Sequence, residues 1–391
     1  MNTDLQENRE STVIGAMPIE ETTLSEATVR RLQEWGVSRR RFLTYCAGMA
    51  SVMALPQALV PKLAAAATGT LGGTAATAAK PSVVYMSFQE CTGCLESMVN
   101  SFAFGGGEQI ENLILKWISL DYQETLMAAA GKQAEEQLLA MTDAARAGYV
   151  LVVDGSIPRL QEQDKEGKPG YGYFVSGGRS GVERFRAAAQ NAGLIIAVGT
   201  CASFGGLPHA APNPTDAMSI KEVMEWCGIK NKPLINVSGC PPIPEVITGT
   251  IMYYLLKGMP VLDNLQRPTV YYGRTVHDDC LREENFDDDG LFTTSFDNAA
   301  ARKGACLYDL GCKGPVTHNA CARVKWNQGT SYPMLSGHGC IGCAEPDFWD
   351  KGNLGPLGDK QGFYYRLTKA LDYNGHGGSK ACNSCHDGNG F

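Results

Sequence analysis

Between residues 82 and 240 the apolar residues of this chain fall into short, near-continuous runs, and helical spacing fills the gaps between them. The runs are SVVYMSF (82–88), NLILKWISL (112–120), YVLVVDGS (149–156), LIIAVGTC (194–201) and PLINVSGC (233–240). They are short and continuously apolar, as strands buried on both faces of a parallel sheet are. QETLMAAAGKQAEEQLLAMTDAARA (123–147), SGVERFRAAAQNAG (180–193), SIKEVMEWCGI (219–229) and EVITGTIMYYLLKG (245–258) read as helices. Strands with intervening helices predict an α/β fold, a flavodoxin-like doubly wound parallel sheet over residues 81–260. From 261 to 345 the periodicity fades and Gly, Cys, Asp and His take over. A smaller, irregular domain of that composition buries little apolar surface and needs staples or metal centres to hold it.

The N-terminal pattern bears on compartment. Residues 1–37 form a polar leader, expected to be unstructured. SRRRFLT follows, with Arg39 and Arg40 ahead of the uncharged run FLTYCAGMASVMALPQALVP and the exit KLAAAATG. A charged n-region, an apolar h-region and a small-residue exit make residues 38–67 a twin-arginine signal peptide. A membrane anchor or a buried helix is the alternative, but Pro56 and the Ala-rich exit favour a signal. Residues 68–80 are a small-residue linker. The expected location is periplasmic, with membrane association only through a partner. Cys46 would leave with the signal. The twin-arginine route carries folded proteins, usually loaded with cofactor, which turns the remaining cysteines from disulfides towards metal.

Charge and cysteine content sharpen this. A net charge of −7 in 391 residues offers no basic stripe for phosphates, so nucleic acid is excluded as a partner. There are 14 cysteines. Cys91 and Cys94 follow the first strand, and Cys201 and Cys240 end two others. In a parallel sheet all carboxyl ends share one edge, so these four converge there. Four thiolates make an iron–sulfur or structural zinc site; the bland alternative leaves Cys201 and Cys240 as small buried residues. Beyond residue 260 stand His277, Cys280, Cys306, Cys312, Cys321, Cys340 and Cys343. Seven soft ligands suit one site of four and one of three. Cys227, in VMEWCGI, reads as a small buried hydrophobe.

The set ECTGCLES, GTCASFGG, GCPP, HxxC, Cx5CKGP and CxxC, in that order over residues 81–345, resembles the small subunit of exported nickel–iron hydrogenases. The resemblance implies that Cys91, Cys94, Cys201 and Cys240 hold a proximal 4Fe–4S cluster. It gives a medial 3Fe–4S cluster to Cys321, Cys340 and Cys343, with Pro333 near where a fourth ligand would come. It gives a distal 4Fe–4S cluster to His277, Cys280, Cys306 and Cys312. The irregular domain would then be an iron–sulfur domain. The nickel–iron site would lie in a separate large subunit, no residue here would bind nickel, and the pair would form a heterodimer or a dimer of heterodimers. Glu90 would help protons leave at the interface, or merely cap a turn. Oxygen-tolerant members carry two extra cysteines at positions that correspond here to Gly93 and Gly206, which implies ordinary oxygen sensitivity.

The tail, 346–391, departs from that family. No apolar run there could cross a membrane. Instead Cys382, Cys385 and His386 form CxxCH, the attachment pattern of a c-type haem, with His376 or a partner residue as the second axial ligand. A disulfide or a metal-binding tail is the alternative. The acceptor would be a c-type or b-type cytochrome. Three other functions compete: a stand-alone multi-cluster electron carrier, a cytoplasmic hydrogen sensor, and a disulfide-stapled secreted protein.

Overall fold

Five parallel strands carry the architecture: β1 (Ser82–Ser87), β2 (Ser119–Tyr122), β3 (Val150–Asp154), β4 (Leu194–Val198) and β5 (Leu234–Val237). Their order across the sheet is β2-β1-β3-β4-β5. This is the flavodoxin-like winding, with β1 and β3 adjacent. The computed structural model describes residues 80–101, 118–159, 172–287 and 291–350, with Leu24, 26–34 and a few positions between 39 and 47.

Every residue of β3 and β4 is buried, as the uninterrupted apolar runs require. The pairing is in register, Val83 against Val150, Val150 against Leu194 and Ile195 against Leu234. One core beside the sheet gathers Val84, Leu151, Val153, Phe185, Ile195 and Val223. Two helices on this side start at the same sequence device. Ser180 and Ser219 each accept from the backbone N–H three residues on, and Glu183 and Glu222 reach back to the cap N–H. These capping boxes hold the helices Gly181–Asn191 and Ile220–Trp226. The helix Pro244–Lys257 opens on proline, whose missing N–H costs nothing there, and ends at Gly258.

Four expectations need correction. The span 123–147 is not one helix: it is Lys132–Met141 followed by a short 3₁₀ turn, Ala144–Arg146. Gly131 at φ +56° starts the helix late, and Asp143 caps the separate turn. The edge strand is Ser119–Tyr122 rather than 112–120, of which 112–117 lie outside the described residues. The leader contains a helix, Glu26–Glu34, with Thr28 and Leu32 buried four residues apart on one face. Cys227 is only half-buried, at the end of the helix Ile220–Trp226, where it edges the core.

Beyond residue 260 the described chain has only short turns of helix, such as Thr269–Tyr272, Ala299–Arg302 and Cys321–Val324. Polar ties fasten it to the sheet. Arg267 is buried and bonds Asp263 Oδ2 at 2.8 Å, Glu345 Oε1 at 3.0 Å and the Ala344 carbonyl at 3.1 Å. The Tyr272 hydroxyl donates to the Ser238 carbonyl at 2.7 Å, and the Ser238 hydroxyl donates to the Ala344 carbonyl at 2.8 Å. No described helix is long and apolar enough to cross a membrane.

Candidate metal centres

The carboxyl edge of the sheet brings the first four cysteines together. Cys91 lies just past β1, and Cys94 on the helix Gly93–Val99 that begins there. Cys201 is not a strand end: β4 stops at Val198, and a helical turn, Gly199–Phe204, carries Cys201 inward. Cys240 follows β5. Gly199 sits at φ +87°, and a Cβ there would overlap the Cys94 Sγ. Gly206 sits at φ +63°, and a Cβ there would stand 2.5 Å from the Cys201 Sγ. The glycines therefore let backbone close around sulfur, as a cluster cradle requires.

Electrostatics shows the same grouping. Burial pushes the Cys94 thiol well up, with Asp154, Cys201, Cys240 and Cys91 adding to it. Burial pushes Cys201 up to about 12, helped by Cys240 and Cys91. Metal ligands must be thiolates, so a metal centre bound here would displace these protons.

A second group surrounds a cavity lined by His277, Cys280, Cys306 and Cys312. Backbone N–H groups already aim at its sulfurs: Arg282 N at 3.5 Å from Cys280 Sγ and Gly314 N at 3.4 Å from Cys312 Sγ. Phe286 packs edge-on against the His277 ring, centroids 4.7 Å apart. A third group is Cys321, Cys340 and Cys343. Burial raises Cys321 to about 12, with Cys340 adding, and Cys343 to about 12, with Cys321 adding. Pro333, by contrast, is exposed.

The three groups touch in series. The hydroxyl of Thr200, next to Cys201, donates to the Cys343 carbonyl and accepts from the N–H of Gly239, next to Cys240, which joins the first group to the third. The Cys340 N–H donates to Cys312 Sγ at 3.2 Å, which joins the third to the second. Exposure runs unevenly: Cys91 is exposed, whereas Cys94, Cys306, Cys321 and Cys340 are buried. Among the described residues no three His, Cys, Asp or Glu side chains stand at the spacing of a single metal ion. The donor set, buried thiols with one imidazole, fits iron–sulfur clusters. Cys382, Cys385, His386 and His376 lie outside the described residues.

Glu90 is half-buried, its Oε2 has no partner among the described residues, and burial raises its pKa. Several contacts went unread in the sequence. Asp154 is fully buried under the first group, receives the Tyr85 hydroxyl at 2.9 Å, and is pushed up to about 8 by burial and Glu90. A charged residue closing an otherwise apolar strand, as in YVLVVD, was the available signal. The Tyr332 hydroxyl lies 3.9 Å from Cys280 Sγ. Nothing local to that residue marks it.

A protein with cysteine-rich groups gathered at the carboxyl edge of a flavodoxin-like sheet is the class this geometry defines. Known proteins make it specific. Residues 272–354 match the family described as NiFe/NiFeSe hydrogenase small subunit, C-terminal, and residues 91–254 match the NADH ubiquinone oxidoreductase 20 kDa subunit family. The uptake hydrogenase small subunit of Azotobacter vinelandii is 41% identical over 86% of this chain and 85% of its own length. The hydrogenase-1 small chain of Escherichia coli K12 is 43% identical over 84% and 82%. The reduced Ni-Fe-Se hydrogenase of Desulfomicrobium baculatum superposes with a TM-score of 0.61 at 30% identity, over 72% of this chain and all of that one. The recombinant [NiFeSe] hydrogenase of Desulfovibrio vulgaris Hildenborough gives 0.61 at 33%, over 72% and 99%. The chain belongs to the small-subunit family of nickel–iron hydrogenases, and its enzymatic activity is that of a complex with a large subunit.

Gly199→Ala tests the cradle. With no room for a Cβ beside Cys94, the variant should fold around fewer irons, read as a drop in iron per chain and in the visible iron–sulfur absorbance. Wild-type iron content would show that the close approach is not needed.

Proposed function

We propose that this chain conducts electrons, one at a time, between the nickel–iron site of a large subunit and an external acceptor, serving hydrogen oxidation reversibly. The observation that carries this is the serial contact of the three cysteine-bearing groups, through Thr200 and Cys343 and then Cys340 and Cys312. When bound, the clusters supply one-electron carriers at each group. Cys91, Cys94, Cys201 and Cys240 would hold the proximal 4Fe–4S cluster, Cys321, Cys340 and Cys343 the medial 3Fe–4S cluster, and His277, Cys280, Cys306 and Cys312 the distal 4Fe–4S cluster. The exposed Cys91 marks the face a large subunit would cover. Family membership weighs against a free-standing carrier, a reading in which that face has no partner.

The chain's own residues set conditions rather than react. Backbone N–H groups stabilise thiolate sulfur, and the neutral His277 leaves its cluster one negative charge poorer than four cysteines would. Glu90, half-buried beside Cys91, holds a proton at its carboxyl more readily than an exposed glutamate. That suits a proton exit at the interface. Acidic residues cluster around His277, with Asp278, Asp279, Glu283 and Glu284 within eight positions. They favour a cationic acceptor such as a c-type cytochrome. Cys382, Cys385 and His386 would attach a c-type haem outside the cytoplasm, which agrees with export by the twin-arginine signal to the periplasm. Gly93 and Gly206 leave the proximal site without extra thiols, so its response to oxygen is of the ordinary kind.

Anaerobic affinity purification from the native host tests the whole reading. The expected result is a co-eluting large subunit with nickel and hydrogen-dependent viologen reduction; a brown chain with neither would move the function to a free-standing carrier. The same preparation should lose hydrogen oxidation in air, and sustained turnover there would contradict the four-cysteine proximal site. Glu90→Gln should lower turnover with the clusters intact, and unchanged turnover would reduce Glu90 to a turn-capping role.

A further inference from the structure

Arg282 is 8% exposed, and its guanidinium has only uncharged partners. Its Nε donates to the Met334 carbonyl at 2.9 Å and its Nη1 to the Ala305 carbonyl at 2.6 Å. Among the described residues no carboxylate lies within ion-pair distance of it. Of the acids nearest in sequence, Asp279 pairs with Arg274 at 3.2 Å, Asp278 accepts from Thr275 N, Glu284 is exposed, and the half-buried Glu283 makes no ion pair with Arg282. A guanidinium is always protonated, and a buried charge without a counter-ion is costly. The other buried arginines among the described residues follow the ordinary rule: Arg184 pairs with Glu135, and Arg267 with Asp263 and Glu345. Arg282 differs from them in what it faces. It lines the same cavity as His277, Cys280, Cys306 and Cys312.

We propose that the missing counter-ion of Arg282 is the distal cluster itself, and that its fixed charge raises the reduction potential of that cluster. The inference rests on the distal ligand assignment made above. Reduction adds one electron and so one negative charge to the cluster with its three thiolates. A fixed cation at the cavity wall stabilises the reduced form more than the oxidised one. His277 acts in the same sense, because an imidazole in place of a thiolate also leaves the cluster less negative. Arg282 is a positioning residue as well: its two carbonyl bonds hold Ala305, next to Cys306, against Met334. The charge and the staple are separable, because a neutral side chain can fill the space and a lysine can keep the charge.

The test is a redox titration of the intact heterodimer, followed by electron paramagnetic resonance, with iron content measured in parallel. Arg282→Met and Arg282→Gln should lower the distal potential by at least a tenfold change in the reduction equilibrium, about 59 mV for one electron. Arg282→Lys should stay close to wild type. An unshifted potential in a neutral variant that keeps its iron would overturn the proposal. If both neutral variants lose the cluster, Arg282→Lys decides. A wild-type potential there supports the charge, and a tenfold shift despite the retained charge makes Arg282 a staple only. A wild-type protein with no signal for a cluster held by His277, Cys280, Cys306 and Cys312 would instead refute the ligand assignment.

Discussion

One hydroxyl holds the three cysteine-bearing stretches nearest the sheet in a single arrangement. Thr200 Oγ1 donates to the carbonyl of Cys343 and accepts from Gly239 N at 2.9 Å, while Thr200 N donates to the Gly239 carbonyl at 2.8 Å. Thr200 precedes Cys201, and Gly239 precedes Cys240. The ends of β4 and β5 and the C-terminal CxxC are therefore locked by one buried residue, 1% exposed. A bond of this kind between buried partners contributes about 1 kcal/mol net, but leaving one of the groups unpaired costs roughly 1–3 kcal/mol. The geometry of the first group, and its contact with the third, both depend on it. The doubly wound sheet delivers the strand ends to one edge, and Thr200 fixes what that edge is joined to.

The second constraint is charge. The described ligand thiols are largely buried, and burial is the leading cause of every raised cysteine pKa among them. Unmetallated, they are neutral thiols. As ligands they become anions, and the surroundings must then supply compensating dipoles and cations. Backbone N–H groups at Gly314, Gly342 and Arg282 point at sulfur, each between 3.4 and 3.5 Å. Cationic side chains are placed differently from group to group. Arg267 is consumed by Asp263 and Glu345 and serves the framework. Beside the first group stand two acids, the buried Asp154 and the half-buried Glu90. The fold thus sets unlike electrostatic surroundings at the separate cysteine groups, and any metal centre bound there would feel a different field at each.

Much of this was legible in the chain, and the reasons are physical. A strand buried on both faces must be apolar throughout, so LIIAV and VLVVD announced themselves, and a parallel sheet places their ends on one edge. Helical spacing marked the helices that begin after Ser180 and Ser219, and the structure adds the S-x-x-E capping boxes that start them. The helix over 123–147 was overcalled because Ala, Glu and Leu favour helix everywhere, and one glycine at φ +56° overrode them at position 131. Cys201 was read as a strand end, whereas Gly199 turns the chain into a helix two residues earlier. The ligands themselves are marked by residue type, but their supporting shell is not. Arg282, Thr200 and Tyr332 act through a carbonyl, a hydroxyl bridge and a distant sulfur, and each is fixed by tertiary packing that leaves no local pattern.

The asymmetry of exposure explains why such a chain works only in company. The first group keeps an exposed cysteine on an open edge, while the third is sunk among Tyr272, Ser238 and Ala344. A protein that carried electrons alone would close both ends against water and oxidants, because exposed thiolate ligands are the ones attacked first. Leaving Cys91 at the surface is tolerable only where another surface covers it. The buried middle group then has no contact with either end except through the protein. The link through Thr200 and Cys343 on one side and through Cys340 and Cys312 on the other is a consequence of folding two cysteine-rich segments against one sheet edge. Which group meets which is set by the topology of the sheet and by which loop packs on which.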